Sequence, residues 1–373
     1  MSALPRSRHS TRRDTLTHVA ALVGLCAVPI VLYLVMLQYF WDRGELGIDF
    51  TQTLLPAAEE VARGNSPYPA YGYPPLVAFA LVPFTFVPSP EVVHTALLLV
   101  GLAASLRVLG IRDWRCYGAA FLWGASFHAV QTGNVSIWLL LLAAIAWRVR
   151  ESSSWCGLAA GLAIATKIIC WPLVVWLAAT RRWRGAVLSV IVAGGVTAVL
   201  WGSLGFSGLR SYPSSLDRLE TAQAPSSYTV RALFEDAGAP RLGQLVWGAL
   251  VLVVLVGCVV AARRGLDGQS FAFAVLAAVI ASPIVWLHSF VLLLAPVAVL
   301  RPRFGLVWVL PALLWFGSGT GNGATWQTAL VLVVAAVTFL MTVVPRTPES
   351  SRRDDRRSRK GVVETGAPAV PTS

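Results

Sequence analysis

The chain has 373 residues, of which 56% are hydrophobic and only 13% are charged, and its mean hydropathy is +0.67. Soluble domains carry about 25% charged residues. A water-soluble globule cannot bury this much apolar surface, so the composition excludes a cytosolic enzyme with a small anchor and predicts an integral membrane protein. The net charge of +12 comes mainly from short basic clusters between apolar runs. This arrangement is typical of topology signals, and we expect no nucleic-acid partner.

The five cysteines lie within or beside apolar stretches, with no Cys-x-x-Cys pair and no Cys/His spacing typical of zinc ligands. The carboxylates likewise form no cluster that requires a metal. We therefore expect no disulfide, no metal and no cofactor.

Residues 1–17 form a basic segment, and an apolar run follows from about 18 to 40. The run is too long for the apolar region of a signal peptide and lacks a small-residue cleavage site, so we interpret it as the first membrane span. Residues 18–344 are then predicted to form one polytopic transmembrane domain. The tail 345–373 is rich in Arg, Pro and Ser, and we expect it to be disordered and cytoplasmic.

Most of the 30 basic residues lie in seven clusters between apolar runs. Since Lys and Arg collect in cytoplasmic loops, an even number of crossings must separate neighbouring clusters. This count predicts an all-α protein with about twelve crossings, both termini cytoplasmic, and several helices short or broken. Loops 41–73 and 207–243 then lie outside the plasma membrane, and the stretch 74–88 is re-entrant or lies on the surface. The unusual polar residues fall on this extracytoplasmic face.

Asp49 lies in the acidic first loop, between Ile48 and Phe50. A carboxylate at the lipid boundary is suited to act as a general base, and the alternative is an aspartate that caps the next helix. Lys167 interrupts a long apolar run. A lysine at that depth either binds an anion in a cavity or extends its ammonium group to the membrane surface.

Polar residues also stand beside two predicted helix breaks. His288 follows the break at Ser282-Pro283, and it is either an active-site residue or a satisfied histidine of the core. Gln131 and Asn134 flank a glycine at a predicted outer turn, where hairpin chemistry alone would also explain them.

Six short motifs occur in order between about residues 40 and 300. They are Asp49-Phe50, Ala62-Arg63-Gly64-Asn65-Ser66-Pro67-Tyr68, Tyr73-Pro74-Pro75-Leu76, Gln131-Thr132-Gly133-Asn134, Lys167 with Pro172 ahead of Arg181-Arg182-Trp183, and Ser282-Pro283-x-x-Trp286-x-His288. The ordered set resembles the signature of glycosyltransferase family 87, whose members are polytopic enzymes of the GT-C class that use polyprenyl-phosphate sugars. The chain differs from the family pattern at Thr51-Gln52-Thr53, where a tyrosine is common, and at Ser289, where a second histidine is common.

The resemblance implies a GT-C-like fold and transfer of a hexose, with mannose preferred, from a polyprenyl-phosphate donor to an extracytoplasmic glycolipid or glycan. Arabinofuranosyl and glucosyl transfer stay open within this class. Asp49 then corresponds to the catalytic base and His288 to an active-site histidine. The other matched positions expected to bind substrate are Tyr68, Tyr73, Gln131, Asn134 and Trp286.

One carboxylate suffices for such a transfer. Glycosidases need a second carboxylic acid because an alkoxide leaving group must be protonated, whereas a polyprenyl phosphate leaves as a stabilised anion. A base for the acceptor hydroxyl and a cation for the phosphate are then enough for an inverting mechanism. Asp49 and Lys167 supply this pair, with Arg63 as a second candidate for the phosphate. An aspartate near its reference pKa of about 3.9 is a weak base, so either partial desolvation raises its basicity or the leaving group mainly drives the reaction.

Two other classes compete with the glycosyltransferase. A transporter or lipid flippase would also have broken helices and a cation near the midplane, but it requires openings to both membrane faces. A non-catalytic scaffold for envelope assembly would tolerate loss of all the candidate site residues. In each case membrane lipid is an expected partner.

Overall fold

The computed structural model describes residues 19–20, 22–223, 226–317 and 324–345. Within these ranges all regular structure is helical and no β-strand is present, which confirms the predicted all-α class. The predicted basic N-terminus and the predicted disordered tail beyond residue 345 lie outside the described residues.

The described residues form seventeen α-helices, several of which are extended by π-helical or 3₁₀ turns. Those before residue 180 are α1 (Val28–Asp42), α2 (Leu55–Ala62), α3 (Pro75–Leu81), α4 (Pro90–Val108), α5 (Trp114–Leu122), α6 (Gly124–Thr132), α7 (Ser136–Arg148), α8 (Ser153–Thr166) and α9 (Pro172–Ala179). Those that follow are α10 (Trp183–Ser203), α11 (Tyr212–Gln223), α12 (Val230–Asp236), α13 (Pro240–Arg263), α14 (Asp267–Ile280), α15 (Leu294–Leu300), α16 (Leu306–Val309) and α17 (Thr325–Val343).

Five helical stretches of the described chain are long and apolar enough to cross a membrane. They are Val23–Asp42, Pro90–Val108, Trp183–Ser203, Pro240–Arg263 and Thr325–Val343. α6 and α7 add a sixth if they count as one span, although they meet at a bend of 118°. The other apolar stretches have 10–17 residues, and helices of this length rise only about 15–25 Å against a hydrocarbon core near 30 Å. The structure thus supports a helical membrane protein, but helix length does not support about twelve crossings.

Three helix breaks meet at one end of the bundle, which we call the site end. α6 ends at Gly133, whose φ of 70° terminates the helix. α8 ends at Lys167, where the backbone is extended with φ −152° and ψ 120°. α14 ends just before Pro283. Because Asn134, Lys167 and Pro283 line the same cavity, the breaks place polar side chains and free backbone groups around one space.

Basic clusters that are distant in sequence meet at the opposite end, which we call the arginine end. Asp267 at the start of α14 accepts hydrogen bonds of 2.9 Å from Arg182 and of 3.2 Å from Arg150. Trp176 donates a third bond to the same carboxylate at 2.9 Å. α7, α8, α9 and α14 each connect this end with the site end, and α8 spans 14 residues or about 21 Å. Two of the basic clusters, those of Arg150 and Arg182, therefore lie at the end of these helices opposite the residues that line the cavity.

Small residues allow α8 and α10 to pack closely. A Cβ on Gly161 would lie 2.7 Å from the carbonyl oxygen of Ser189 and 2.7 Å from Cβ of Val192. A Cβ on Gly157, one turn earlier, would lie 2.8 Å from the carbonyl oxygen of Gly185. Contacts of this small-xxx-small kind hold membrane helices together through backbone approach.

The first loop is itself folded. A π-helical turn over Phe50–Leu54 leads into α2, which packs against α3 and against the 3₁₀ turn Val82–Phe86. The stretch 74–88, predicted to be re-entrant or to lie on the surface, is thus largely helical, with Val77, Ala78 and Leu81 buried.

Candidate active site

Asp49 is held by an amide from a different part of the chain. Asn134 Nδ2 donates a hydrogen bond of 2.8 Å to Asp49 Oδ2 and lies 3.4 Å from the hydroxyl of Tyr73. Asn134 Oδ1 accepts bonds from the backbone N–H (3.0 Å) and the hydroxyl (2.8 Å) of Ser136. These bonds fix the orientation of the amide, so that its NH₂ group faces the carboxylate.

Backbone contacts lock the first loop onto the turn after α6. The N–H of Gly47 donates to the carbonyl oxygen of Gln131 at 2.7 Å, and Gln131 Nε2 donates to the carbonyl oxygen of Glu45 at 3.2 Å. A Cβ on Gly133 would lie 2.7 Å from Cβ of Phe50. Glycine is therefore required at this position both by its positive φ and by the close approach of the loop.

His94 of α4 supports the residue that follows Asp49. Its ring stacks on Phe50 with a centroid distance of 4.3 Å and an interplanar angle of 15°. Trp138 Nε1 lies 3.5 Å from His94 Nε2. No sequence pattern distinguished His94, because its role is to pack against an aromatic residue from another segment.

Lys167 faces the same space from the break after α8. Its ammonium nitrogen lies 5.5 Å from the ring centroid of Tyr73, which is a cation–π distance. Among the described residues it forms no ion pair within 4.0 Å. Tyr73 is positioned in turn by Tyr68, whose hydroxyl donates to the Tyr73 carbonyl oxygen at 2.9 Å and whose ring stacks on Trp201 at 4.9 Å.

These groups surround a cavity of about 390 Å³, which we call the polar cavity. Five residues predicted from the sequence line it, namely Asp49, Tyr73, Asn134, Lys167 and Trp286. Sequence reasoning missed several other lining residues, which are Thr53, Tyr212, Leu216, Leu219, Glu220 and Gln223. All but the first of these belong to α11, within the predicted outer loop 207–243. That location was their only sequence signal.

Four predicted site residues do not line the polar cavity. Arg63 pairs with Glu60 at 2.7 Å and with Glu59 at 3.1 Å, and its side chain is 58% exposed. Tyr68 and Gln131 act through the hydrogen bonds described above. His288 is buried and stacks on His128 with a centroid distance of 5.6 Å, so it lies within the core of the bundle.

A second cavity of about 420 Å³ adjoins the first, and we call it the apolar cavity. Side chains of α8, α10 and the segment 206–216 form its walls, among them Ile164, Ala193, Ala198 and Phe206. The two cavities share four lining residues, which are Pro74, Ile168, Tyr212 and Leu216. Their boundary thus joins an apolar space to a polar one.

The electrostatics of the polar cavity favour proton acceptance by Asp49. Burial raises the pKa of its carboxyl group above the ordinary value, while the hydrogen bond from Asn134 and the positive charge of Lys167 act in the opposite direction. Burial, reinforced by the Asp49 charge, also raises the pKa of Tyr73, so the tyrosine stays protonated. Burial therefore makes the Asp49 carboxylate a stronger base than an ordinary aspartate.

The sequence model described as "Glycosyltransferase family 87" matches residues 71–296, which is more than half of the chain. The chain is accordingly a membrane glycosyltransferase. It belongs to glycosyltransferase family 87. No curated protein and no solved structure matches it. The matched range begins after Asp49, whose link to the matched residues is its hydrogen bond with Asn134.

Proposed function

We propose that the protein transfers a hexose, with mannose preferred, from a polyprenyl-phosphate donor to a glycolipid or glycan acceptor outside the plasma membrane. The observation that carries the proposal is the shared boundary of the two cavities. An apolar chain in the apolar cavity, along the end of α8 and the second half of α10, would bring its phosphate to Ile168, next to Lys167 in the chain. The donor sugar would then lie next to Asp49.

The reaction follows from these positions. Asp49 accepts the proton of an acceptor hydroxyl as that oxygen attacks the anomeric carbon of the donor sugar. The bond between the anomeric carbon and the phosphate oxygen breaks, and its electron pair leaves with the polyprenyl phosphate. The phosphodiester monoanion becomes a phosphate dianion, and the ammonium group of Lys167 stabilises this added charge. Attack opposite the leaving group inverts the anomeric configuration.

This scheme gives a distinct role to each polar residue near Asp49. Asn134 holds the carboxylate in one orientation, while Tyr73 offers a neutral hydroxyl to a substrate oxygen. Trp286 supplies an apolar face against which a sugar ring packs. The roles predicted for Arg63 and His288 stay predictions, since neither side chain lines the polar cavity.

The distribution of charge supports an active site outside the membrane. Arg150 and Arg182 lie at the arginine end, and basic residues of this kind collect on the cytoplasmic side. The polar cavity lies at the site end, which would then face outward with both termini inside.

The test is an assay of membranes that overexpress the protein. They are incubated separately with radiolabelled polyprenyl-phosphate mannose, glucose and arabinofuranose, and the labelled lipids are separated and identified. We expect label from the mannose donor in a glycolipid, with inverted anomeric configuration, and none from membranes that carry Asp49→Asn. Label in no product from any of the three donors would refute the proposal.

A further inference from the structure

One side of the polar cavity lies away from the space assigned to the donor. Along α11, Tyr212 and Leu216 line both cavities, whereas Glu220 and Gln223 line the polar cavity alone. Glu220 lies eight residues beyond Tyr212, about 12 Å along the helix. If the donor's tail and phosphate occupy the apolar cavity and the surroundings of Lys167, then Glu220 and Gln223 face the end from which the acceptor approaches.

The carboxylate of Glu220 is held in a fixed position. Its Oε1 accepts a hydrogen bond of 2.6 Å from Arg231, and the two side chains are 30% and 17% exposed. The guanidinium group of Arg231 lies 5.6 Å from the ring centroid of Trp247, behind Glu220, and it does not line the cavity. Oε2 has no hydrogen-bond partner among the described residues. A fixed carboxylate oxygen of this kind is suited to accept bonds from sugar hydroxyls.

The charge balance of the cavity limits what binds there. Among the described residues that line it, Asp49 and Glu220 are the carboxylates and Lys167 is the single cation. The donor phosphate requires that cation. The charge of Glu220 is balanced by its ion pair with Arg231, which is therefore not free for a ligand. A second phosphate or a carboxylate on the reacting ring of the acceptor would meet the charges of Asp49 and of the donor phosphate, with no free cation to offset the repulsion.

We infer that Glu220 and Gln223 form the acceptor subsite and that the acceptor presents an uncharged polyhydroxylated ring to Asp49. The inference rests on the proposed function and names the substrate class on the acceptor side of the same site. α11 also contacts the first loop beside this subsite, because the hydroxyl of Tyr212 donates a hydrogen bond of 3.2 Å to the carbonyl oxygen of Gly72. Glu220 is therefore a specificity-determining residue, separate from the base and from the phosphate-binding lysine.

The kinetic test uses purified full-length protein, the labelled donor that is active in membranes, and total lipid extract of those membranes as the acceptor probe. We expect Glu220→Gln to raise the extract concentration needed for half-maximal rate about tenfold, while the donor KM stays within twofold. Asp217→Asn removes an exposed carboxylate from the same helix and is the matched control, with both constants unchanged. Unchanged acceptor dependence in Glu220→Gln would overturn the inference.

Arg231→Gln separates acceptor binding from the ion pair. It removes the charge of the salt bridge but keeps the carboxylate and an amide N–H to hold it in place, and we expect the acceptor dependence to stay within threefold of wild type. If Arg231→Gln reproduces the defect of Glu220→Gln, the carboxylate acts only through the ion pair and the subsite is refuted. A thermal shift with polyprenyl phosphate shows that each variant is folded and binds the donor's lipid.

The acceptor ring to which the labelled hexose becomes attached provides a second readout. We expect this ring, released from the labelled product, to be neutral on anion exchange, and a phosphorylated or carboxylated ring would contradict the inference. If the wild-type protein labels nothing, the proposed function fails. If it transfers normally but the Glu220 variants are indistinguishable from it, only the acceptor subsite fails.

Discussion

The carboxylate of Asp49 accepts a 2.8 Å hydrogen bond from Asn134, a residue 85 positions later in the chain. This contact joins the first loop to the turn between α6 and α7. It orients a base whose basicity is increased by burial, and it connects Asp49 to the part of the chain that matches the family.

Asn134→Ala should slow turnover without unfolding the protein. A hydrogen bond to a charged group contributes about 1.5–3 kcal/mol, so loss of this orientation should lower kcat by about 10–100-fold. Ser136→Ala removes one of the two bonds to Asn134 Oδ1 and keeps the backbone bond, so its effect should be smaller. Steady-state kinetics of the two variants measure this order, and equal or reversed effects would argue against Asn134 as the orienting residue.

The pH profile should have an acidic limb set by Asp49. The base must be ionised to accept a proton, and its pKa is raised by burial, so activity should fall at a pH above the ordinary aspartate value of about 3.9. The charge of Lys167 lowers this pKa, so Lys167→Met should move the limb to higher pH. The measurement is log kcat against pH at saturating donor.

Arg63→Met is the matched control for that profile. It removes a cation that is paired with Glu59 and Glu60 outside the polar cavity, and it should leave the acidic limb in place. A limb that moves equally in both variants would indicate a general effect of net charge.

Filling the apolar cavity should weaken donor binding selectively. Gly194 lines this cavity, and a Cβ placed on it meets no atom within 4 Å, so Gly194→Leu can fold while its side chain occupies the space. Gly195 is equally open but does not line the cavity, so Gly195→Leu is the control. We expect the donor KM to rise about tenfold in the first variant alone. The same rise in both, or in neither, would place the lipid elsewhere.

Gly161→Ala should destabilise the bundle. Alanine is favoured over glycine inside a helix by about 1 kcal/mol, but here the added Cβ would meet a backbone oxygen and Cβ of Val192 at 2.7 Å. Overpacking of this kind costs about 1–3 kcal/mol, so the clash should outweigh the propensity. Gly248→Ala in α13, where the added Cβ meets nothing within 4 Å, should be neutral or stabilising. Melting temperatures in one detergent test the comparison, and a Gly161→Ala protein as stable as Gly248→Ala would show that the helices separate freely.

Sequence patterns predicted the helical membrane class and identified five of the residues that line the polar cavity. Asp49, Lys167 and Asn134 each stand out as polar groups beside a helix break or an apolar run, which is a local signal. The number of crossings was beyond prediction, since an apolar run does not reveal whether a short helix traverses the bilayer. Glu220 was also hidden, because α11 is a polar helix whose lining face is determined only by its packing on the first loop.

The sequence around Arg63 also carries a local signal. Glu59 and Glu60 precede it by four and three residues, a spacing at which helix side chains form ion pairs. That spacing alone favours a surface salt bridge over a phosphate site. His288 differs, because no pattern in its own segment indicates that His128 of α6 lies against its ring.

The turnover of purified Asp49→Asn protein tests the central claim most directly. Because the pKa of Asp49 is higher in the folded state, ionisation of this carboxyl group is less favourable there than in the unfolded chain, and an uncharged asparagine should leave the melting temperature equal or raised. General base catalysis contributes about 10²–10⁴-fold, so the account predicts loss of at least a hundredfold in kcat with an unchanged donor KM. A folded Asp49→Asn enzyme with near-normal turnover would contradict it.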